Sequence, residues 1–596
     1  MFKTIIKNTD LSTLDFSGRL FPDVNDRAFW DAHYDEVIIA EAEKHMEYDW
    51  PIIKATDYME FKKTGDRIIM EDIHFARRRA LVCLSLGELM ENKGRFLPQI
   101  TNGIFTICEE SYWGVSAHWF GAPGNIQSPE YPYIDLFAGE TAENLAFISV
   151  LLRDPLLAFC PEIIDRIDYE MERRIFVPYL THRDFWWMGY FKKVNNWNPW
   201  ILSNVLSAFL LLERNPLRLR KAIEKILTEV THYYDCMPAD GGCDEGPGYW
   251  IRAGASLFEV LYQLKVATGG KLDLFVDEKV RNIGSYITKV YVGNGKVANF
   301  GDGSQNLSSI TMIYAYGKET NQPQMCALAA EAVKLKKKVS HIRLSVDTIC
   351  IRRSLLDLSL RQEILNTDTP FSPPALYYLP DLQVATLRNN GFVLGAKGGN
   401  NGEFHNHNDV GNFILYDNGT PVLIDAGVGD YTRQTFGKER YTIWTMQSGY
   451  HNLPTVNGID QHDGWKFRAD SFLAEEGRVT TSLPKAYPEE SGLGDFTRTL
   501  QLGEAELSVT DRFTFVGENG SVVEHLMTPY CPEVKDNVVI LDGKYEISCD
   551  GGAISVEDVR FDGNKKLELS WKSAVLYRIN IAFEKQETVT IRVRRI

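Results

Sequence analysis

Phe404-His405-Asn406-His407-Asn408-Asp409-Val410-Gly411-Asn412-Phe413-Ile414-Leu415-Tyr416-Asp417-Asn418-Gly419-Thr420-Pro421-Val422-Leu423-Ile424-Asp425 is a polar cluster that runs into a hairpin. Its two apolar runs, Gly411 to Tyr416 and Pro421 to Asp425, flank Asp417-Asn418-Gly419. An Asn-Gly pair between such runs is a strong signal for a two-residue β-turn. The spacing therefore predicts an antiparallel hairpin whose second strand returns Asp425 beside the histidines. If His405 and His407 lie on extended backbone, the two-residue side-chain period points both rings to one face. His451, in Tyr450-His451-Asn452-Leu453-Pro454, would complete a set of imidazole and carboxylate ligands of the kind zinc accepts near tetrahedral geometry. A single histidine here would read as a polar loop residue satisfied by the backbone. Four candidates in fewer than fifty residues read as a site.

Outward from the hairpin, the two directions differ in period. Beyond about Pro370 the chain consists of short alternating stretches such as Leu507 to Val516 and Val589 to Val593, punctuated by Gly, Asn and Asp. This predicts stacked antiparallel sheets. Up to roughly Lys338 the apolar residues recur at three- and four-residue spacing, near His74 to Glu91, Thr141 to Leu152, Trp200 to Glu213, Leu217 to Val230 and Gly254 to Ala267. Helices are predicted there. The Thr/Asp/Pro/Ser-rich stretch Asn366 to Pro374 marks the change, giving a helical domain over 1–370 and a β domain over 371–596. The fold class expected is α+β and multidomain.

With 596 residues the chain is several times the usual domain size, so large cores are expected. A net charge of −16 disfavours non-specific binding to nucleic acid or to an anionic membrane, and a polyanionic substrate would need cations gathered in a cleft. Nine cysteines without framework spacing suit free thiols better than a disulfide scaffold. Cys236 and Cys243 have no matching second pair, so no cysteine zinc site is read there. The first ten residues lack an apolar core of signal-peptide length, and no run of about eighteen apolar residues is present. A soluble protein is expected, cytoplasmic if this N-terminus is native and periplasmic or secreted if a leader has been removed.

Two loops of the helical half are dense in groups that can touch a sugar. One holds Phe185-Trp186-Trp187-Met188-Gly189-Tyr190 and Asn195-Asn196-Trp197-Asn198-Pro199-Trp200; the other is Asp240-Gly241-Gly242-Cys243-Asp244-Glu245-Gly246-Pro247-Gly248-Tyr249-Trp250. Aromatic faces beside amides suit a carbohydrate, whose C–H faces stack on rings while its hydroxyls demand hydrogen bonds. Asn195, Trp197, Trp186, Trp187, Glu245, Trp250 and Arg433 are therefore expected to bind substrate. The plain alternative is that each tryptophan is core and each glycine shapes a turn.

In this order, Asn195-Asn196-Trp197, Asp240-Gly241-Gly242 to Trp250, His405-Asn406-His407-Asn408-Asp409, Asp425-Ala426-Gly427 and His451-Asn452 resemble the heparinase II/III-like polysaccharide lyases over most of the chain. The resemblance implies an incomplete α/α toroid followed by an antiparallel β-sandwich. It also implies β-elimination on a uronate-containing polysaccharide, such as heparan sulfate, chondroitin, hyaluronan or alginate. Carried over by motif, Asn196 is the amide that neutralises the uronate carboxylate, Tyr249 the catalytic tyrosine and His405 the catalytic histidine. His407, Asp425 and His451 are the metal ligands, for one zinc of structural kind. Trp197 stands where some relatives have a histidine.

The chemistry accounts for these residue types. Removing the C5 proton of a uronate piles charge on a carboxylate that is already ionised, and an amide donor can offset it. A phenolate or neutral imidazole can take the proton, and a tyrosine can protonate the departing O4. Tyr249 alone would serve both steps in syn elimination, whereas His405 and Tyr249 would divide them in anti elimination. A glycosaminoglycan is expected over alginate, because the Trp-rich loops suit alternating hexosamine and uronate. Arg183, Lys192, Lys193 and Arg433 lie next to the motif residues, where acidic groups need partners. Three other classes are open at this stage. A glycoside hydrolase would use Glu245 with Asp302 of Phe300-Gly301-Asp302-Gly303. A zinc hydrolase would use His405, His407 and Asp425 around an open metal position. A carbohydrate-binding protein would do no chemistry at all.

Overall fold

Ile414 and Tyr416 belong to the hydrophobic core of the helical half, while their neighbours Phe413 and Leu415 belong to the core of the β half. One strand thus feeds two cores through its two faces, as the two-residue period requires. The computed structural model describes residues 1–596 except 119–123, 125, 337–348, 518 and 519. The expected end of the helical pattern near residue 338 lies outside the described residues.

The helices at Leu136–Leu151, Trp197–Leu212 and Gly254–Ala267 pack side by side, with Trp197–Leu212 in the middle and Pro216–Cys236 against it. Leu136–Leu151 is buried almost all round, so it lies inside the toroid rather than on its rim. Its buried charged and amide groups are paired: Glu140 with Arg252, Glu143 with Arg352, and Asn144 with the backbone of residues 349 and 351. Pairing is what makes such burial tolerable. This helix starts earlier than the apolar period suggested, because the Asp135 side chain accepts from the N–H groups of Phe137 and Ala138 and caps the first turn. Gly254–Ala267 has the predicted limits.

The last described helix of this half is Ile351–Leu365 and the next element is the strand Leu376–Leu379. From there on all strand pairs are antiparallel and form sheets of five, eight and four strands, with a two-stranded ribbon of Asn400–Asn401 and Gly464–Arg468. The three sheets share one hydrophobic core, in which Leu394, Phe413, Leu500, Val509 and Ile581 all lie. The chain is an α/α toroid followed by a β-sandwich. The five-stranded sheet holds the hairpin Phe413–Asp417 and Thr420–Leu423 and forms the seam with the helices. At its turn, Asn418 and Gly419 have φ of 47° and 74°, the left-handed pair that a two-residue hairpin needs. Among the described residues no helix is long and apolar enough to cross a membrane.

Candidate active site

Asn196 immediately precedes the helix Trp197–Leu212, where a side-chain amide would ordinarily cap the first turn. Here it makes no cap bond. Its Nδ2 instead donates to Glu245 Oε2, and its backbone N–H donates to Glu245 Oε1 at 3.0 Å. Glu245 is fully buried, and burial pushes its carboxyl up to about 7. Its other neighbour is the ring of His405, with Nε2 3.4 Å from Oε2.

Tyr249 lies in the single helical turn Pro247–Trp250, which is pressed against the loop that carries Asp302. A Cβ on Gly248 would stand 2.8 Å from Gly303 Cα, so glycine is needed for that approach. Asp302 then binds four side chains. It accepts from His405 Nδ1 at 3.0 Å, His407 Nε2 at 3.1 Å, Arg440 Nη2 at 2.7 Å and the Tyr431 hydroxyl at 3.2 Å. Burial alone would raise its carboxyl, but the histidine hydrogen bonds and the Arg440 charge hold it well below the usual carboxylate range. An ionised carboxylate only accepts, so Nδ1 of His405 carries a proton and the lone pair of the neutral ring is on Nε2.

The Tyr249 hydroxyl is 2.8 Å from that of Tyr431, and because Tyr431 donates to Asp302, Tyr249 donates to Tyr431. Burial first, and the Asp302 charge second, hold the Tyr249 phenol above its ordinary value. Its ring stacks on that of His405, with centroids 4.0 Å apart and planes inclined by 22°. The two side chains thus act from one wall.

That wall belongs to a cleft of about 1010 Å³ between the two halves. Asn195, Asn196, Trp186, Trp197, Tyr249, His405 and Arg433 line it. Trp187 and Trp250, expected to bind substrate, do not: both are fully buried, and their indole N–H groups are spent on the carbonyls of Ile134 and Ile283. They are core. Glu245 also lies behind the lining, holding Asn196 rather than facing the cleft. Arg183, Lys192 and Lys193 are not in the lining either; Arg183 rests on the Tyr190 ring and Lys192 on the Trp186 ring. The cations that do line it, besides Arg433, are Lys62, Arg67, Arg252 and Arg440. Sequence reasoning missed these four, and it missed Tyr431. It named Asp302 only as a hydrolase acid. Tyr431 and Arg440 sit among irregular turns, and nothing local marks them, since their partner Asp302 is more than a hundred residues away.

The loop at 402–412 is built from turns, not the extended backbone expected, and His405 has a left-handed φ of 54°. Both rings nevertheless meet at Asp302, because that carboxylate bridges them from the other half. His407, Asp425 and His451 converge at the base of the hairpin, buried and outside the cleft lining. His451 Nδ1 faces the Gln447 carbonyl at 2.9 Å, and His407 Nε2 faces Asp302. Both of those nitrogens must be protonated. The nitrogens left over, His407 Nδ1 and His451 Nε2, then bring two lone pairs together at 3.2 Å, with Asp425 Oδ2 3.4 Å from the latter. Ligand atoms bound to one tetrahedral zinc stand roughly 3.3 Å apart, so the donor set and its spacing fit such an ion.

Residues 372–594 match the family model described as heparinase II/III-like, C-terminal. The β half is thus similar to that C-terminal domain. Along its whole length the chain is also similar in structure to polysaccharide lyases. A mutant of heparan sulfate lyase HepC from Pedobacter heparinus superposes with a TM-score of 0.60 at 15% identity, covering 100% of this chain and 87% of that one. Heparinase III gives 0.60 at 13%, covering 100% and 93%. The chondroitin AC lyase of Streptomyces coelicolor A3, in complex with chondroitin sulphate, gives 0.54 at 10%, covering 95% and 83%. At these identities the likeness is one of fold. No curated protein matches the chain in sequence.

Proposed function

We propose that this chain is a polysaccharide lyase that cleaves a glucuronate-containing glycosaminoglycan by β-elimination, leaving a 4,5-unsaturated uronide. The observation that carries this reading is the meeting, in one cleft, of an amide, an imidazole with its lone pair on Nε2, and a protonated phenol. The heparan sulfate and chondroitin lyases among the structural neighbours support it.

In the proposed reaction Asn196 donates to the uronate carboxylate and stabilises the charge that develops there, with Glu245 fixing the amide from behind. His405 Nε2 takes the C5 proton. The C5–H electron pair forms the C4=C5 double bond, the C4–O4 bond breaks, and O4 takes the Tyr249 proton. The imidazolium then returns its proton to the Tyr249 phenolate. Tyr249 is unsuited to be the base, because burial and then the Asp302 charge oppose its ionisation. Base and acid stacked on one wall suit syn elimination, the course that glucuronate requires because its C5–H and O4 lie on the same face. A zinc ion held by His407, Asp425 and His451 would supply a structural tie for the loop that presents His405.

The hydrolase alternative fares poorly. Asp302 is held ionised by four donors, and Glu245 lies behind the lining with both oxygens taken by Asn196 donors, so neither is free to protonate a glycosidic oxygen. A zinc hydrolase would need His405, His407 and Asp425 around one open position in the cleft, and only His405 lines it, His407 and Asp425 being buried outside the lining.

A panel of heparan sulfate, chondroitin sulfate, hyaluronan, dermatan sulfate and alginate, followed by near-ultraviolet absorbance, tests the reading. Absorbance is expected with at least one glucuronate polymer, little with iduronate-rich dermatan sulfate, and less as salt rises and screens the cleft cations. Cleavage of alginate alone would overturn the substrate class and leave the elimination standing. Asn196→Ala is expected to lower kcat by about 10²–10³-fold with a smaller change in KM, because the amide acts on the transition state. A loss confined to KM would remove that role.

A further inference from the structure

Trp465 is 58% exposed and is the one tryptophan among the described residues with a mostly open ring. It lies in the strand Gly464–Arg468, which pairs with Asn400–Asn401 directly ahead of the loop that carries Phe404 and His405. The contact with that loop is close. A Cβ on Gly402 would stand 2.7 Å from Trp465 N and 2.8 Å from its Cγ, so the missing side chain lets the loop seat the base of the indole. The ring's far end is left open. Lys193 connects this ring to the cleft. Its Nζ is 5.4 Å from the centroid of Phe404, a cleft-lining residue, and 5.7 Å from that of Trp465. The lysine is half exposed, and its ion-pair partner, Asp244, is 3.8 Å away. Lys466, next in the strand and exposed, has no carboxylate partner among the described residues, while Asp463 is the opposing charge nearby in sequence.

We infer that Trp465 and Lys193 form an outer sugar subsite that continues the cleft past Phe404 and holds further units of the same acidic polysaccharide. The inference rests on the lyase reading for the identity of the occupant. A lone exposed aromatic would be unremarkable. Here the ring is joined to the cleft by a cation placed between two aromatic faces, which is the arrangement an acidic sugar needs: its C–H face on the indole and its carboxylate or sulfate on the ammonium. The continuity with the cleft and the charge both favour a polyanionic sugar chain over a protein partner.

The test compares wild type with Trp465→Ala and Trp465→Phe on polymeric heparan sulfate and chondroitin sulfate, and on the shortest oligosaccharide of each that is cleaved. In parallel, calorimetry measures binding of both polymers to the same three proteins carrying Tyr249→Phe. Trp465→Ala is expected to weaken polymer binding and raise the polymer KM about tenfold, and to lower the polymer-to-oligosaccharide ratio of kcat/KM by a similar factor. Trp465→Phe should recover most of the loss. Unchanged polymer affinity in Trp465→Ala, or an equal loss on short and long substrates, overturns the subsite. Polymer binding that depends on Trp465 in a wild-type protein making no unsaturated product would overturn the lyase reading and leave the subsite in place. Failure of wild type to bind either polymer would overturn the subsite, and failure to cleave any polymer of the wider panel would overturn the lyase reading.

Discussion

Replacing Tyr249 with phenylalanine is expected to lower kcat by about 10²–10⁴-fold, the range that a general acid contributes, while polysaccharide binding stays near wild type. The change removes one hydroxyl from a ring whose place is set by its stack on His405 and by the Gly248 contact with Gly303, so the fold should be kept. Tyr431→Phe is the companion variant. It keeps the Tyr249 hydroxyl but removes its hydrogen-bond acceptor and one donor to Asp302, and a smaller loss, about tenfold, is expected. Circular dichroism and calorimetric binding separate a chemical defect from a folding one. Activity of Tyr249→Phe within about tenfold of wild type would take the phenol out of the mechanism. A larger loss in Tyr431→Phe than in Tyr249→Phe would transfer the acid role to Tyr431.

One zinc per chain is expected on elemental analysis, lost when His407, Asp425 or His451 is replaced by alanine and kept when His405 is. The three ligand variants should also lose stability, by roughly 3–5 kcal/mol, because each leaves buried polar partners uncompensated. Removing His407 strips Asp302 of one of its four donors, and removing His451 leaves the Gln447 carbonyl without its partner. His405→Ala should instead abolish turnover while keeping the ion, with a smaller loss of thermal stability, since it too removes one Asp302 donor but its ring lies on the cleft wall rather than among the ligands. Loss of the ion in His405→Ala would show that catalytic and ligand histidines had been divided wrongly. Retention of full stability by a metal-free wild type would show that the ion is not structural.

Much of the architecture was legible without coordinates, because it follows from local rules. The Asn418-Gly419 turn, the strand periods around it and the helical period of Gly254–Ala267 depend on side chains within a few residues of one another. The same locality placed His407 and Asp425 near each other, since a hairpin of known turn length brings its two ends together, whereas His451 lies beyond the hairpin and is brought in by the fold. The motif resemblance, rather than periodicity, singled out Asn196, Tyr249 and His405. Trp186 and Trp187 mark where local reading stops. They are adjacent in one 3-10 turn, yet the first lines the cleft and the second is core, and only the elements packed on either side decide which.

The tertiary structure decided the electrostatics of the site. Asp302 looked like half of a hydrolase pair; folding surrounds it with His405, His407, Tyr431 and Arg440 and makes it the anion that sets the tautomers of both histidine rings and opposes ionisation of Tyr249. Glu245 looked like a substrate contact and became the support of Asn196. These partners are separated by 49 to 138 residues in sequence, so no spacing rule could pair them. A carboxylate's charge state and accessibility depend on how deeply it is buried and which donors reach it, and both are properties of the packed seam between the helical and β halves.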